Sequence, residues 1–191
     1  MLVYGSVGQA YSNGDVIPAG YAGSYKLYGG QGQFKPLASS FQEGEEGAAV
    51  APSEMPLSDF TADMVYQYVK LTDVNISEYN SETKKATLTV GENSIELYNQ
   101  FGKDVAANEG ATVIGFVNVY SHTLQIYPTE IILKPVVTVS PGSGAVESGT
   151  TVNVTVTPAD ATIYYKMTTS GVWPEEWTAY DAENKPTITE A

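Results

Sequence analysis

The chain contains no cysteine. Disulfides, thiolate metal sites and cysteine nucleophiles are therefore excluded. It contains one histidine, His122, so neither a multi-histidine metal centre nor a histidine pair is available. Basic residues are scarce: nine Lys+Arg stand against 22 Asp+Glu, for a net charge of −13. A polyanion such as DNA is repelled by that balance, because phosphate neutralisation supplies most non-specific affinity, and an anionic membrane surface is disfavoured for the same reason. The acidity reads as a solubility device. No run of about 18 apolar residues exists, so no transmembrane helix is expected. The first 20 residues lack a basic and an apolar region, so they are not a signal peptide. If the natural protein is exported, its signal lies upstream or has been removed. No D-x-D-x-D-G calcium loop and no G-x-x-x-x-G-K phosphate loop occur.

What is present is apolar without being a membrane sequence: 42% hydrophobic and only 16% charged, with 14 Tyr and 18 Gly. Aromatic and β-branched residues pack on pleated surfaces, and the composition is that of a folded all-β chain rather than a disordered one. The chain also copies itself, and a repeat outranks other features for organisation. Gly23 to Pro36 (GSYKLYGGQGQFKP) aligns without a gap on Gly115 to Pro128 (GFVNVYSHTLQIYP) at an offset of 92. Gly23, Tyr28, Gln33 and Pro36 fall on Gly115, Tyr120, Gln125 and Pro128. Tyr25, Leu27 and Phe34 fall on Val117, Val119 and Ile126. Met1 to Tyr4 resembles Ile95 to Tyr98 at an offset of 94. The first copy thus begins in its own middle, as half a module.

Residues 1–37 read as strands broken by glycine turns, with Tyr21 to Tyr28 and Gln31 to Leu37 forming a hairpin across Gly29-Gly30. Residues 38–56 carry four acids, two Pro, two Gly and no period, and read as an acidic linker, the least ordered internal stretch. Ser58 as N-cap, with Leu57, Phe60 and Met64 on one face, predicts a short helix over about 58–65. Strands then follow at Val69 to Ile76, with an irregularity near Asp73, at Ala86 to Val90, Ser94 to Phe101, Thr112 to Tyr120 and Leu124 to Tyr127. Asn108-Glu109-Gly110 reads as a turn, and Ser121-His122-Thr123 as the tip of a hairpin. Five strands with short turns predict a small Greek-key barrel over 57–134.

These residues carry a resemblance. YVKLTDVNIS, ATLTVGENSIELYNQF and GATVIGFVNVYSHTLQIYPTEI resemble the OB-fold-like modules of Bacteroidetes exported and cell-surface proteins. The likeness covers about 57–133, and residues 1–37 match the second half of such a module. From Pro135, PVVTVSPGSGAVESGTTVNVTVTPADATIYYKMT is similar to the chitobiase/β-hexosaminidase C-terminal type of Ig-like module. Over 135–191 the resemblance implies a β-sandwich. It departs after about residue 167, where Thr168 to Tyr180 replaces a short turn, and the chain stops before the last strands such a sandwich has. Together the two resemblances imply a secreted or surface-located region of a larger bacterial protein.

No catalytic residue and no cofactor emerge. His122 reads as an exposed turn residue. Glu43, Glu45 and Glu46 lie in the linker and Glu175-Glu176 in a loop, whereas glycosidase chemistry needs two acids held on rigid elements. Trp173 and Trp177 flank Pro174-Glu175-Glu176; the first reading is that they cover the end of the sandwich, the alternative that they form a platform for sugar rings. The recurring tyrosines read as strand packing. The expected function is non-catalytic: a spacer, docking or adhesion region with glycan contact and neighbouring domains as partners. The alternatives are a carbohydrate-binding module, with Trp173 and Trp177 as ligand-binding residues, and an OB module for single-stranded nucleic acid. Half a barrel leaves strand edges open, so residues 1–37 are expected either to complete a sheet with the whole module or to mediate a homodimer.

Overall fold

A computed structural model describes residues 2–168 and 170–189. The chain is all-β and divides into two compact units, Met1–Lys134 and Pro135–Ala191. The strands of the first unit are β1 (Leu2–Val3), β2 (Gly23–Tyr28), β3 (Gln31–Pro36), β4 (Ser53–Glu54), β5 (Tyr68–Ile76), β6 (Lys85–Val90), β7 (Asn93–Tyr98), β8 (Asn108–Tyr120) and β9 (Thr123–Ile132). The second unit holds β10 (Val136–Ser140), β11 (Asn153–Thr157), β12 (Tyr164–Tyr165) and β13 (Thr178–Ala179).

Strands β5 to β9 close a five-stranded barrel. The hydrogen-bonded order runs β5-β6-β7-β9-β8 and returns to β5 through a β5–β8 pairing. All pairings in it are antiparallel except β7–β9. Numbered within the barrel, that order is 1-2-3-5-4-1, the OB arrangement. Alternation places Val69, Leu71, Val74, Leu88, Leu97, Val113, Val117 and Ile126 inside, all fully buried. The irregularity near Asp73 is a bulge: the β5–β8 register shifts between Leu71 and Val74, and Asp73 takes φ 52°. Strand β8 starts at Asn108, so the expected turn at 108–110 is strand. Gly110 still has positive φ, and its N–H donates to the Asn75 side chain.

The expected helix over 58–65 does not form. Two separate 3-10 turns, Leu57–Asp59 and Ala62–Met64, occupy the segment. The apolar spacing is real, since Leu57 is in the core and Phe60 and Met64 pack against it. Eight residues are too few to sustain an isolated helix, so tertiary contacts bend the segment to bring each apolar side chain inward. Ser58 does not cap; its hydroxyl donates to Asp59 Oδ1.

The repeat is structural as well as sequential. Strands β1-β3-β2 form a separate three-stranded sheet in the same order as β7-β9-β8. The registers coincide. Gly23 pairs with Pro36 as Gly115 pairs with Pro128, and Tyr25 with Phe34 as Val117 with Ile126. Leu2 pairs in parallel with Gln33 as Glu96 does with Gln125. This half-module does not extend the barrel sheet, contrary to one of the two expectations for it. Segment 38–56 is tied in along its length. The Tyr11 hydroxyl donates to Gln42 O, Val16 bridges Glu45, Asn13 exchanges hydrogen bonds with Val50, and β4 pairs with β5. Phe41 is buried and stacks on Tyr21.

The second unit has two two-stranded antiparallel sheets, β10–β11 and β12–β13, with a bridge between Thr151 and Thr187. None of its described residues is fully buried.

A candidate binding groove between the two copies

The two copies meet through equivalent residues. Their hairpin tips touch: Ser121 N–H donates to Gly29 O, and these two positions correspond in the repeat. Tyr28 lies against its counterpart Tyr120, ring centres 5.8 Å apart. Both tips need positive φ, which Gly29 and Gly30 supply in the first copy and Ser121 and His122 in the second. Gly29 is constrained twice, because a Cβ there would sit 2.9 Å from the Tyr120 ring. The outward faces of β3 and of β8–β9 are thereby held together across the hairpin tips.

Between them lies a cavity of about 400 Å³. Three pairs of repeat-equivalent residues line it: Tyr4 with Tyr98, Tyr28 with Tyr120, Gln33 with Gln125. Leu2, Gln31, Gln100, Tyr127, Lys84 and Lys85 complete the wall. Five phenol rings and four carboxamides therefore face one space, with two lysines and no carboxylate. All nine basic residues of the chain are lysines.

A carboxamide network orients this wall. Gln33 Nε2 donates to Gln31 Oε1, and Gln31 Nε2 donates to Asn118 Oδ1. Gln125 Nε2 donates to Glu96, whose carboxylate also pairs with Lys85 at 2.9 Å. A carboxylate only accepts, so Glu96 dictates which end of the Gln125 amide faces it. Gln125 Oε1 is turned the other way, buried and without a partner, and Asn118 Nδ2 is likewise unpartnered. Unmet polar atoms at such depth are costly in a closed core. Gln125 belongs to the wall of this cavity, and Asn118, with Leu2 and Phe101, to that of a second one of about 300 Å³, but the two orphan atoms themselves are buried.

Burial raises the phenol of Tyr127 above the ordinary tyrosine value of about 10, and burial also raises that of Tyr66, whose hydroxyl donates to Gly32 O of the first copy. A raised phenol pKa means that the folded state holds its proton more tightly than the unfolded chain. The associated stability is complete below the unfolded value and is lost as pH rises through the folded one. The contact between the copies is expected to loosen above about pH 10. Alkaline unfolding followed by circular dichroism checks this, with Tyr127→Phe displacing the transition to higher pH.

The residues singled out in the sequence lie elsewhere. His122 is exposed at the β8–β9 tip, and Glu43, Glu45, Glu46, Glu175 and Glu176 are exposed. Trp173 and Trp177 do not cover the second unit; they are 65% and 64% exposed, and Lys166 Nζ lies 4.7 Å from the Trp177 ring centre. Sequence reasoning missed the groove by reading its tyrosines as packing. The available signal was that Tyr28, Gln33 and Tyr4 recur in the repeat while most of their neighbours change.

No protein-family model matches the chain. No curated protein matches it either. Among solved structures the chain is similar to an OBody bound to hen egg-white lysozyme, at 15% identity and a TM-score of 0.35, over 45% of this chain and 96% of that one.

Proposed function

We propose that the chain is a non-catalytic glycan-binding region of an exported or surface protein, and that the ligand sits in the groove between the two copies. The observation that carries this is the lining itself: a cavity of about 400 Å³ walled by five tyrosines and four glutamines, with Gln125 held in place by Glu96. Sugar rings present apolar C–H faces, which phenol rings cover, and hydroxyls that both donate and accept, which carboxamides match. No acid lines the groove, so an acid/base pair for glycoside cleavage is not available there. With 22 acids in the chain and lysines as the sole cations, single-stranded nucleic acid is a poorer ligand despite the stacking surfaces.

The test is calorimetric titration against a panel of neutral and acidic oligosaccharides. Binding should weaken at least about tenfold, or about 1.4 kcal/mol, in Gln125→Leu and in Tyr28→Ala, and persist in the double variant Trp173→Ala/Trp177→Ala. Loss in the tryptophan variant alone moves the site to the second unit. Absence of binding by every glycan removes the proposal and leaves a spacer or docking region.

A further inference from the structure

The half-module carries an unfinished barrel interior. In the second copy, the face formed by β7, β9 and β8 is covered by the hairpin β5–β6, which pairs with β8 on one side and β7 on the other. The first copy repeats β7-β9-β8 as β1-β3-β2 in matching register, and among the described residues β1 and β2 each have only β3 as sheet partner. The inward positions differ in burial accordingly. Leu97 and Val117 are 0% exposed, whereas their counterparts Val3 and Tyr25 are 46% and 63% exposed; Leu27 is exposed as well. Phe34 finds partial shelter, edge-on to Tyr21, which stacks on Phe41. Tyr25 and Leu27 share an open cavity with Ala62, Val65, Tyr66 and Val119, and Val3 one with Tyr66 and Phe116, and all three remain largely exposed.

We propose that this face is a docking surface for an antiparallel β-hairpin of the β5–β6 kind, two strands with apolar residues at alternate positions, which closes a second barrel. The second copy states the chemistry of the occupant. Its hairpin turns Val69, Leu71, Val74, Ala86 and Leu88 inward. The same strand set in the first copy presents two open edges and apolar side chains at the positions those residues would meet. Open edges pair readily with an added strand, and the main-chain hydrogen bonds give affinity while the alternating side chains give register. A second copy of this chain is a worse fit, because its own β5–β6 is already committed to its own barrel.

The test extends the full chain with a second copy of residues 57–94 placed ahead of residue 1, the junction that the 94-residue offset between Leu2 and Glu96 dictates. Hydrogen exchange at Ser24 to Tyr28 should slow at least about a hundredfold as these edges are closed. Exchange in β5 to β9 reports that the chain remains folded. Tyr25→Asp/Leu27→Asp should abolish the protection in the extended chain and leave exchange in β5 to β9 unaltered in the unextended one, where both side chains face solvent. An added segment that proteases remove, with β2 exchange unchanged, overturns the proposal. So does concentration-dependent dimerisation of the unextended chain that protects β2. The outcome is independent of glycan binding, which is read on the opposite face of the same sheet.

Discussion

Gly115→Ala should destabilise the barrel severely. A Cβ at this position would lie 2.3 Å from Tyr127 O and 2.9 Å from Pro128 Cα. Both are backbone atoms of the neighbouring strand, so relief requires β8 and β9 to separate. The site is already irregular, since the β8–β9 register shifts between Ile114 and Gly115. Pro128 brings no N–H to the ladder, and glycine opposite it lets the two strands approach where that hydrogen bond is missing. Overpacking of this kind costs about 1–3 kcal/mol, occasionally more; with no flexible neighbour to yield, we expect about 3 kcal/mol or more. For a domain of this size that is a fall in Tm of roughly 10–20 °C. Gly23 faces Pro36 in the same register, and a Cβ there would meet Lys35 O at 2.4 Å. Gly23→Ala should nevertheless leave the barrel transition in place, because β2 is exposed throughout and only the three-stranded sheet would be disturbed. Thermal unfolding of the two variants side by side checks both statements; equal losses would show that the half-module and barrel unfold as one.

Leu97→Ala and Val3→Ala form a second contrast between equivalent positions. Leu97 is enclosed by the barrel core, where truncation removes transfer energy and leaves a cavity, for a cost of about 2–5 kcal/mol. Val3 holds the same place in the first sheet, pairing with Phe34 as Leu97 pairs with Ile126. Its side chain stands half in solvent, and its truncation should cost no more than about 0.5 kcal/mol. Urea unfolding of each variant measures the difference directly. A large effect of Val3→Ala would mean that the first sheet's inner face is already covered in solution, which would also bear on the docking proposal.

Much of this architecture was legible in residue order. The barrel strands follow from alternation between short polar turns, and the bulge at Asp73 from the break in that alternation. The repeat at an offset of 92 foretold the common register of β2–β3 and β8–β9, because a glycine, a proline and the turn between them fix which residues stand opposite. What failed was local and had local causes. The segment 58–65 has helical spacing, yet three apolar anchors, Leu57 in the barrel core and Phe60 and Met64 packed against it, outweigh so short a helix, and two 3-10 turns result. Segment 38–56 lacks any period, yet its backbone and Phe41 are held by residues 11–22. Such contacts join residues about 20 to 40 positions apart in the chain, and no window of sequence contains both partners.

The sequence by itself determined the all-β class, the barrel, the duplication and the exclusion of thiol and multi-histidine chemistry, since each rests on residue type, count or short-range order. Only the tertiary structure decided that the copies lie with equivalent hairpin tips in contact. That contact turns Tyr4, Tyr28 and Gln33 toward Tyr98, Tyr120 and Gln125 and makes a cavity of residues that, taken one strand at a time, are ordinary surface positions. It also decided that Val3 and Tyr25 remain exposed where Leu97 and Val117 are buried. Burial depends on which strands arrive to cover a face, and that information is carried by the partner strands rather than by the residues on the face itself.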